Sequence, residues 1–144
     1  MNTPEEEPTE PTTAFLRKRM SQADAHYGGD LIDGASVLRL FGDLVTEITV
    51  RVDGDEGLLS QYENVRFTAP VHPGDYIEAR ATLVRRTRLR RVVELEAHKV
   101  ISARPGASPS AAQALAGPQL VCSATATTVA PLVARDATAE EAAV

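Results

Sequence analysis

The chain has 144 residues, a formal net charge of −5, 43% hydrophobic and 24% charged side chains, and no tryptophan, which favours one globular domain whose core rests on Val, Leu, Ile and Ala. The charge sits at the ends: residues 1–13 carry −4 and residues 134–144 carry −2, leaving +1 for the body between them. A near-neutral body argues against a general nucleic-acid binder, the single cysteine, Cys122, excludes an intrachain disulfide, and no apolar run approaches the roughly 20 residues that span a bilayer.

Residues 1–13 (Pro4, Pro8 and Pro11 among Glu and Thr) and residues 134–144 read as disordered tails, so the expected domain is 14–133. With no positively charged start and apolar run after Met1, the expected location is cytoplasmic. Residues 14–20 read as a short strand. Residues 21–33 are polar and contain Gly28-Gly29, and Asp33 suits a helix N-cap. Gly34, Leu38, Phe41, Val45, Ile48 and Val52 then recur at three- and four-residue steps, an amphipathic helix of about five turns that Asp53-Gly54 should end.

The rest is strand-like. Residues 58–68 are one strand, and Pro-Val-His-Pro-Gly-Asp at 70–75 is a turn cluster. Ile77, Ala79, Ala81 and Leu83 alternate with polar residues, as do Val93, Leu95 and Ala97, two half-buried strands. Between them Arg85, Arg86, Arg88, Arg90 and Arg91 give a hairpin a strongly basic tip. Residues 105–118 read as a long loop with a short helix at 111–116, and residues 120–129 as the last strand.

Consecutive hairpins make an antiparallel sheet. The expected architecture is α+β: one long central helix wrapped by a curved antiparallel sheet of about five strands, the hot-dog fold. Such a sheet leaves an exposed face and edge, so a homodimer or a dimer-based homo-oligomer such as a hexamer is expected.

The run Asp24-Ala25-His26-Tyr27-Gly28-Gly29-Asp30-Leu31-Ile32-Asp33-Gly34-Ala35 resembles the opening of the β-aminoacyl-CoA ammonia lyases, the family of the 3-aminobutyryl-CoA and β-alanyl-CoA enzymes. Leu40-Phe41-Gly42-Asp43, Thr46-Glu47, Asp53-Gly54-Asp55-Glu56-Gly57-Leu58, Phe67-Thr68-Ala69-Pro70-Val71, Gly74-Asp75-Tyr76-Ile77-Glu78-Ala79 and Glu96-Ala97-His98-Lys99-Val100 are similar too, over roughly residues 16–103. The chain departs from the family in its tails, in residues 105–118 and in its heavier Arg-rich hairpin. The resemblance implies a carbon–nitrogen lyase that reversibly eliminates ammonia from a 3-aminobutyryl-CoA-like thioester to give an enoyl-CoA, with CoA present only as part of the substrate, no other cofactor and no metal. On the same fold the alternatives are an acyl-CoA or acyl-carrier-protein thioesterase, or a non-catalytic acyl-thioester-binding protein.

Elimination begins with loss of a proton α to the thioester carbonyl, which needs a base and a stabilised enolate oxygen. Amides at the start of the helix suit that oxygen; Gly28, Gly29 and Gly34 would let the thioester approach closely or would only make turns. Tyr27 and Asp33 flank these amides. Asp24 and His26 beside the loop are candidate proton carriers or ordinary surface residues. Asp43 and Glu47, four residues apart on one helical face, are either solvated or acid–base groups directed at a partner subunit's site. Tyr62 would orient substrate or simply pack in its strand. Arg86, Arg88, Lys99 and Arg104 are the cations suited to CoA phosphates; the basic hairpin is otherwise a solvated tip or a dock for an acyl carrier protein. Nucleic acid is disfavoured because aromatic interleaving is missing, and Asp53-Gly54-Asp55-Glu56 lacks the ligand spacing of an EF-hand.

Overall fold

A computed structural model describes residues 10–131 of the chain. The described residues leave out 1–9 and 132–144, so the expected tails lie outside them over 1–9 and 134–144. The sheet begins before residue 14, since Thr13 opens the first strand and the Thr12 carbonyl accepts the Leu83 amide at 2.9 Å.

In chain order the elements are β1 (Thr13–Arg19), a 3₁₀ turn (Gln22–Asp24), β2 (Ala25–Tyr27), β3 (Leu31–Ile32), α1 (Gly34–Asp53), β4 (Leu58–Phe67), β5 (Tyr76–Arg86), β6 (Arg90–Ala103) and β7 (Ala112–Val129). Five strands form one antiparallel sheet in the order β1-β5-β6-β7-β4, while β2 and β3 form a separate small ribbon. Strands β5, β6 and β7 follow one another as a meander. The connection from β4 to β5 instead crosses the sheet, because β4 pairs with β7. This is the expected helix-and-sheet arrangement. None of the described helices is long and apolar enough to cross a membrane.

The helix starts and stops where its terminal residues require. Asp33 is extended and its carboxylate accepts the Ser36 amide at 3.0 Å, the N-cap bond that satisfies an otherwise orphaned donor. Gly54 takes a left-handed φ of 65° and donates its amide to the Val50 carbonyl, closing the last turn. The buried face is Val37, Leu40, Phe41, Leu44, Val45, Ile48 and Thr49. It lies on Ile77, Ala79 and Ala81 of β5 and Val93, Leu95 and Ala97 of β6, all essentially inaccessible. The alternation read from the sequence fixes which residues of β5 and β6 face inward, and the alanines among them leave room for Phe41, Leu44 and Ile48. Cys122 is buried in the same core, which pushes its thiol up to about 11 and makes it unreactive.

Two expectations are corrected. Residues 112–118 belong to β7 rather than to a loop with a helix at 111–116: Ala112, Gln113 and Ala114 pair with Ala103, Ser102 and Ile101. Residues 115–118, which include Gly117 and Pro118, fall in the register break between Lys99 and Ile101, where a proline costs no ladder bond. The loop proper is confined to residues 104–111.

Arg91 is also not part of a solvated basic tip. Its side chain is 6% exposed and forks onto Asp53 at the end of α1, with Nε 3.0 Å from Oδ2 and Nη2 2.8 Å from Oδ1. Its other terminal nitrogen donates to the Thr87 and Arg90 carbonyls. The hairpin is thereby tied to the helix C-terminus, where a cation is favoured. Arg91→Met leaves the Asp53 carboxylate only the longer Arg86 contact at 3.5 Å and is expected to cost about 1–3 kcal/mol in urea unfolding at fixed protein concentration, whereas Arg88→Met at the exposed tip is expected to change stability by less than about 0.5 kcal/mol.

Candidate active site

A groove of about 580 Å³ opens at the N-terminal end of α1. One wall is the β2–β3 ribbon, through Tyr27 and Leu31; the second is the first two turns of the helix, from Asp33 and Gly34 to Leu38; the third is Phe67 with Pro70 and Val71. The lining is mostly apolar, the character of a site that holds an acyl chain. A second concavity, about 450 Å³, lies on the outer face of the sheet and is lined by Arg66, Arg80, Glu94 and Glu96 among other polar residues. Its mixed charge offers an acyl chain nothing to bury against, so the groove at the helix start is the better candidate.

The polar groups of the groove belong to the helix start. Asp33 Oδ1 accepts the Ser36 amide and, at 2.6 Å, the Ser36 hydroxyl. The Ser36 hydroxyl and amide, with nearby His26 and Arg39, hold the Asp33 carboxyl below its ordinary value of 3.8. It is thus an ionised cap, poorly suited to take a proton. Gly34 and Ala35 line the groove, and amides in the first helical turn have no intrahelical acceptor. The exposed Phe67 ring lies so close that a Cβ on residue 34 would stand 2.5 Å from its Cζ.

Other sequence-predicted residues fall in different places. His26 is exposed and meets the Tyr27 ring edge-on, centroids 5.0 Å apart, so it stands beside the groove. Asp24 is occupied by the 3₁₀ turn. Its Oδ2 lies 3.3 Å from the Ser21 amide and 3.4 Å from Lys18 Nζ; burial pushes its carboxyl up, but these contacts outweigh it and hold the group below its usual range. Gly28 and Gly29 form the β2–β3 turn, with Gly29 and Asp30 both left-handed at φ 72° and 57°. Gly29 and Asp30 line a smaller crevice, about 300 Å³, with Arg19 and His72.

Tyr62 is half-buried against α1, its hydroxyl 3.4 Å from the Leu38 carbonyl, and burial raises its pKa, so it remains a neutral donor. Asp43 is exposed on the helix, and Glu47 pairs with Arg51 at 2.9 Å; neither lines the groove of its own chain.

The expected CoA cations divide in the same way. Arg86 and Arg88 stand at the β5–β6 hairpin, beside the C-terminus of α1. A 20-residue helix is about 30 Å long, so they are that far from the groove of the same chain. Arg104 is exposed, and its backbone closes the 104–111 loop on Ala111 at 2.8 Å. Lys99, expected on a phosphate, is instead 5% exposed and 3.1 Å from Asp75. Sequence reasoning missed the apolar walls Leu31, Phe67, Pro70 and Val71; the alternation of apolar residues marks burial in a sheet and carries no mark for a groove between elements.

No protein-family model matches the chain. It is 47% identical over 118 residues to 3-aminobutyryl-CoA ammonia lyase of Acetoanaerobium sticklandii, covering 82% of this chain and 94% of that one. Among solved structures it is similar to β-alanyl-CoA:ammonia lyase from Clostridium propionicum, with a TM-score of 0.79 and 31% identity over 85% of this chain and 86% of that chain. A hexameric hotdog fold thioesterase of Campylobacter jejuni shares the fold, with a TM-score of 0.67 and 20% identity over 84% of this chain and 83% of that one.

Two outcomes follow from the geometry. Gly34→Ala is expected to leave thermal stability unchanged within about 1 kcal/mol, since alanine favours a helix, while the displaced Phe67 ring weakens thioester binding measured by calorimetry. Because the Asp33 carboxyl is depressed in the folded state, its stabilisation is complete above its ordinary value and is lost as pH falls through the folded one. The melting-temperature gap between wild type and Asp33→Ala should therefore hold from pH 7 to about 4 and shrink below that. With 47% identity to one ammonia lyase and a 0.79 structural match to another, the chain belongs to the β-aminoacyl-CoA ammonia lyase family of hot-dog proteins.

Proposed function

We propose that the chain is a carbon–nitrogen lyase that reversibly eliminates ammonia from a β-aminoacyl-CoA of the 3-aminobutyryl type to give the enoyl-CoA. The observation that carries this reading is an apolar groove ending at a capped helix N-terminus, in a chain 47% identical to a 3-aminobutyryl-CoA ammonia lyase. In the proposed pose the acyl chain lies between Leu31, Leu38 and Phe67, and the thioester oxygen faces the amides of Gly34 and Ala35. There the helix dipole would stabilise the negative charge that develops as the α-proton leaves.

The site is built from two copies of the chain. Three features support this. The groove's own carboxylate, Asp33, is spent as a cap. Strand β4 leaves one edge unpaired among the described residues and exposes Leu58, Leu59 and Phe67. Asp43 and Glu47 stand on the side of α1 that the sheet leaves uncovered. A two-fold pairing along β4 would carry the partner's hairpin, with Arg86 and Arg88, toward the groove mouth, because antiparallel strands bring opposite ends together. Asp43 and Glu47 of the second copy then serve as acid–base groups, His26 at the groove mouth transfers a proton to or from the leaving amine, and the hairpin arginines meet the CoA phosphates. The hexameric state of the thioesterase of the same fold fits assembly from such dimers.

Crotonyl-CoA mixed with ammonium and the purified protein is expected to lose its enoyl absorbance as the β-amino adduct forms. No adduct with crotonyl-, acryloyl- or longer enoyl-CoA would sink the lyase reading, and release of free thiol would establish a thioesterase instead. Asp43→Asn, Glu47→Gln and His26→Ala are each assayed at unchanged oligomeric state. Loss of a proton-transferring group is expected to lower kcat by about 10²–10⁴-fold.

A further inference from the structure

The turn at residues 70–75 reads in the sequence as a chain reversal and nothing more. In the structure it is a wall of the groove, and it is held by a buried ion pair. Asp75 is completely inaccessible, and each of its oxygens is used: Oδ1 accepts the Ala103 amide at 2.7 Å, and Oδ2 accepts the His72 amide at 2.8 Å and lies 3.1 Å from Lys99 Nζ. Lys99, 5% exposed, donates in addition to the Pro70 carbonyl at 2.7 Å.

The contacts then continue to the helix start. Val71, next to Pro70, accepts the Ile32 amide at 2.9 Å, and Ile32 is followed by Asp33, the N-cap. The Asp75 carbonyl accepts the Met20 amide at 2.9 Å, and the Met20 carbonyl accepts the Gly74 amide at 2.8 Å, which fixes the same turn to the end of β1. A continuous polar path thus runs from the charged pair through one wall of the groove to the other.

Packing alone does not call for such a pair. Two charges taken out of water pay a desolvation penalty that an apolar pair of similar volume avoids. What Lys99 supplies beyond packing is several donors on one flexible stem, one for the carboxylate and one for a backbone carbonyl that would otherwise lie unpaired beside an apolar groove.

We propose that Lys99 and Asp75 are positioning residues of the thioester site: by holding the Pro70 carbonyl they set the distance between the Pro70–Val71 wall and the helix N-terminus at Asp33 and Gly34. The proposal rests on the reading of the groove as the thioester site. It also reassigns Lys99, whose ammonium is directed inward to Asp75 and Pro70 and is not offered to a phosphate.

The test uses three variants of the full chain. Lys99→Met alone leaves Asp75 unpaired and is expected to fold poorly. The double variant Asp75→Asn, Lys99→Met removes both charges and the bond to Pro70, and is expected to melt within a few degrees of wild type. Lys99→Arg keeps the cation and its donors. In the double variant, KM for the enoyl-CoA is expected to rise about tenfold while kcat changes less than about threefold; Lys99→Arg is expected to bring KM back within about threefold of wild type.

Hydrogen exchange on the same proteins without substrate is expected to quicken at residues 31–34 and 69–72 in the double variant and to stay unchanged in β5 and the first part of β6. A folded double variant with wild-type KM, or with unchanged exchange at both walls, overturns the proposal. Failure of the wild-type protein to add ammonium to any enoyl-CoA overturns the lyase reading instead, and the exchange result then decides the positioning role by itself.

Discussion

One helix of 20 residues has to cover the concave face of a five-stranded sheet, and it covers only part of it. Helix α1 lies on β1, β5 and β6, and most of the core follows from that seat. The alanines at 79, 81 and 97 share one buried cluster with Phe41, Leu44 and Ile48, and their small size suits a sheet face that a helix covers. The helix ends are anchored to separate pieces of chain: Asp33 leads in from the β2–β3 ribbon, and Asp53 is gripped by Arg91 from the far hairpin. What the helix leaves uncovered matters equally. Its N-terminus borders an apolar groove, and β4 keeps one open edge and exposed apolar side chains among the described residues. Among the described residues the chain therefore leaves an apolar edge and an apolar groove open to solvent.

That division accounts for the spread of the chemistry. Backbone amides and apolar walls gather at one end of α1, while the arginine-rich hairpin stands at the other. Asp43 and Glu47 do not line the groove of their own chain. Within one protomer these groups do not meet, and the proposed two-fold pairing along β4 would bring them together. The chain belongs to the β-aminoacyl-CoA ammonia lyase family, and under the proposed lyase reading such an assembled set would supply amides for an enolate, carboxylates and a histidine for protons, and arginines for phosphates.

How far the sequence revealed this depends on the range of each interaction. Asp33 and Gly54 mark the helix because a cap acts within a few residues. The inward faces of β5 and β6 are legible because a strand's alternation is local. The start of β7 was not legible: Ala112, Gln113 and Ala114 look helical or loop-like until the extended end of β6 gives them partners. The partners of charged side chains are hidden for the same reason. In its own segment Arg91 reads as part of a basic tip and Lys99 as a cation for a CoA phosphate, and only Asp53 and Asp75, distant in sequence, turn them inward. The groove walls carry no sequence pattern, because a groove is a property of elements that fail to touch.

In the proposed site the acyl part of a CoA thioester lies between the β2–β3 ribbon, the start of α1 and the Phe67 wall. Photo-crosslinking with an acyl-CoA that carries a photoreactive group on its acyl chain, followed by peptide mapping, tests it most directly. Labelling at Tyr27, Leu38, Phe67 and Pro70 or Val71, suppressed by excess crotonyl-CoA, is the expected result. Labelling confined to the outer sheet face, at Arg66, Arg80 and Ser123, would contradict it.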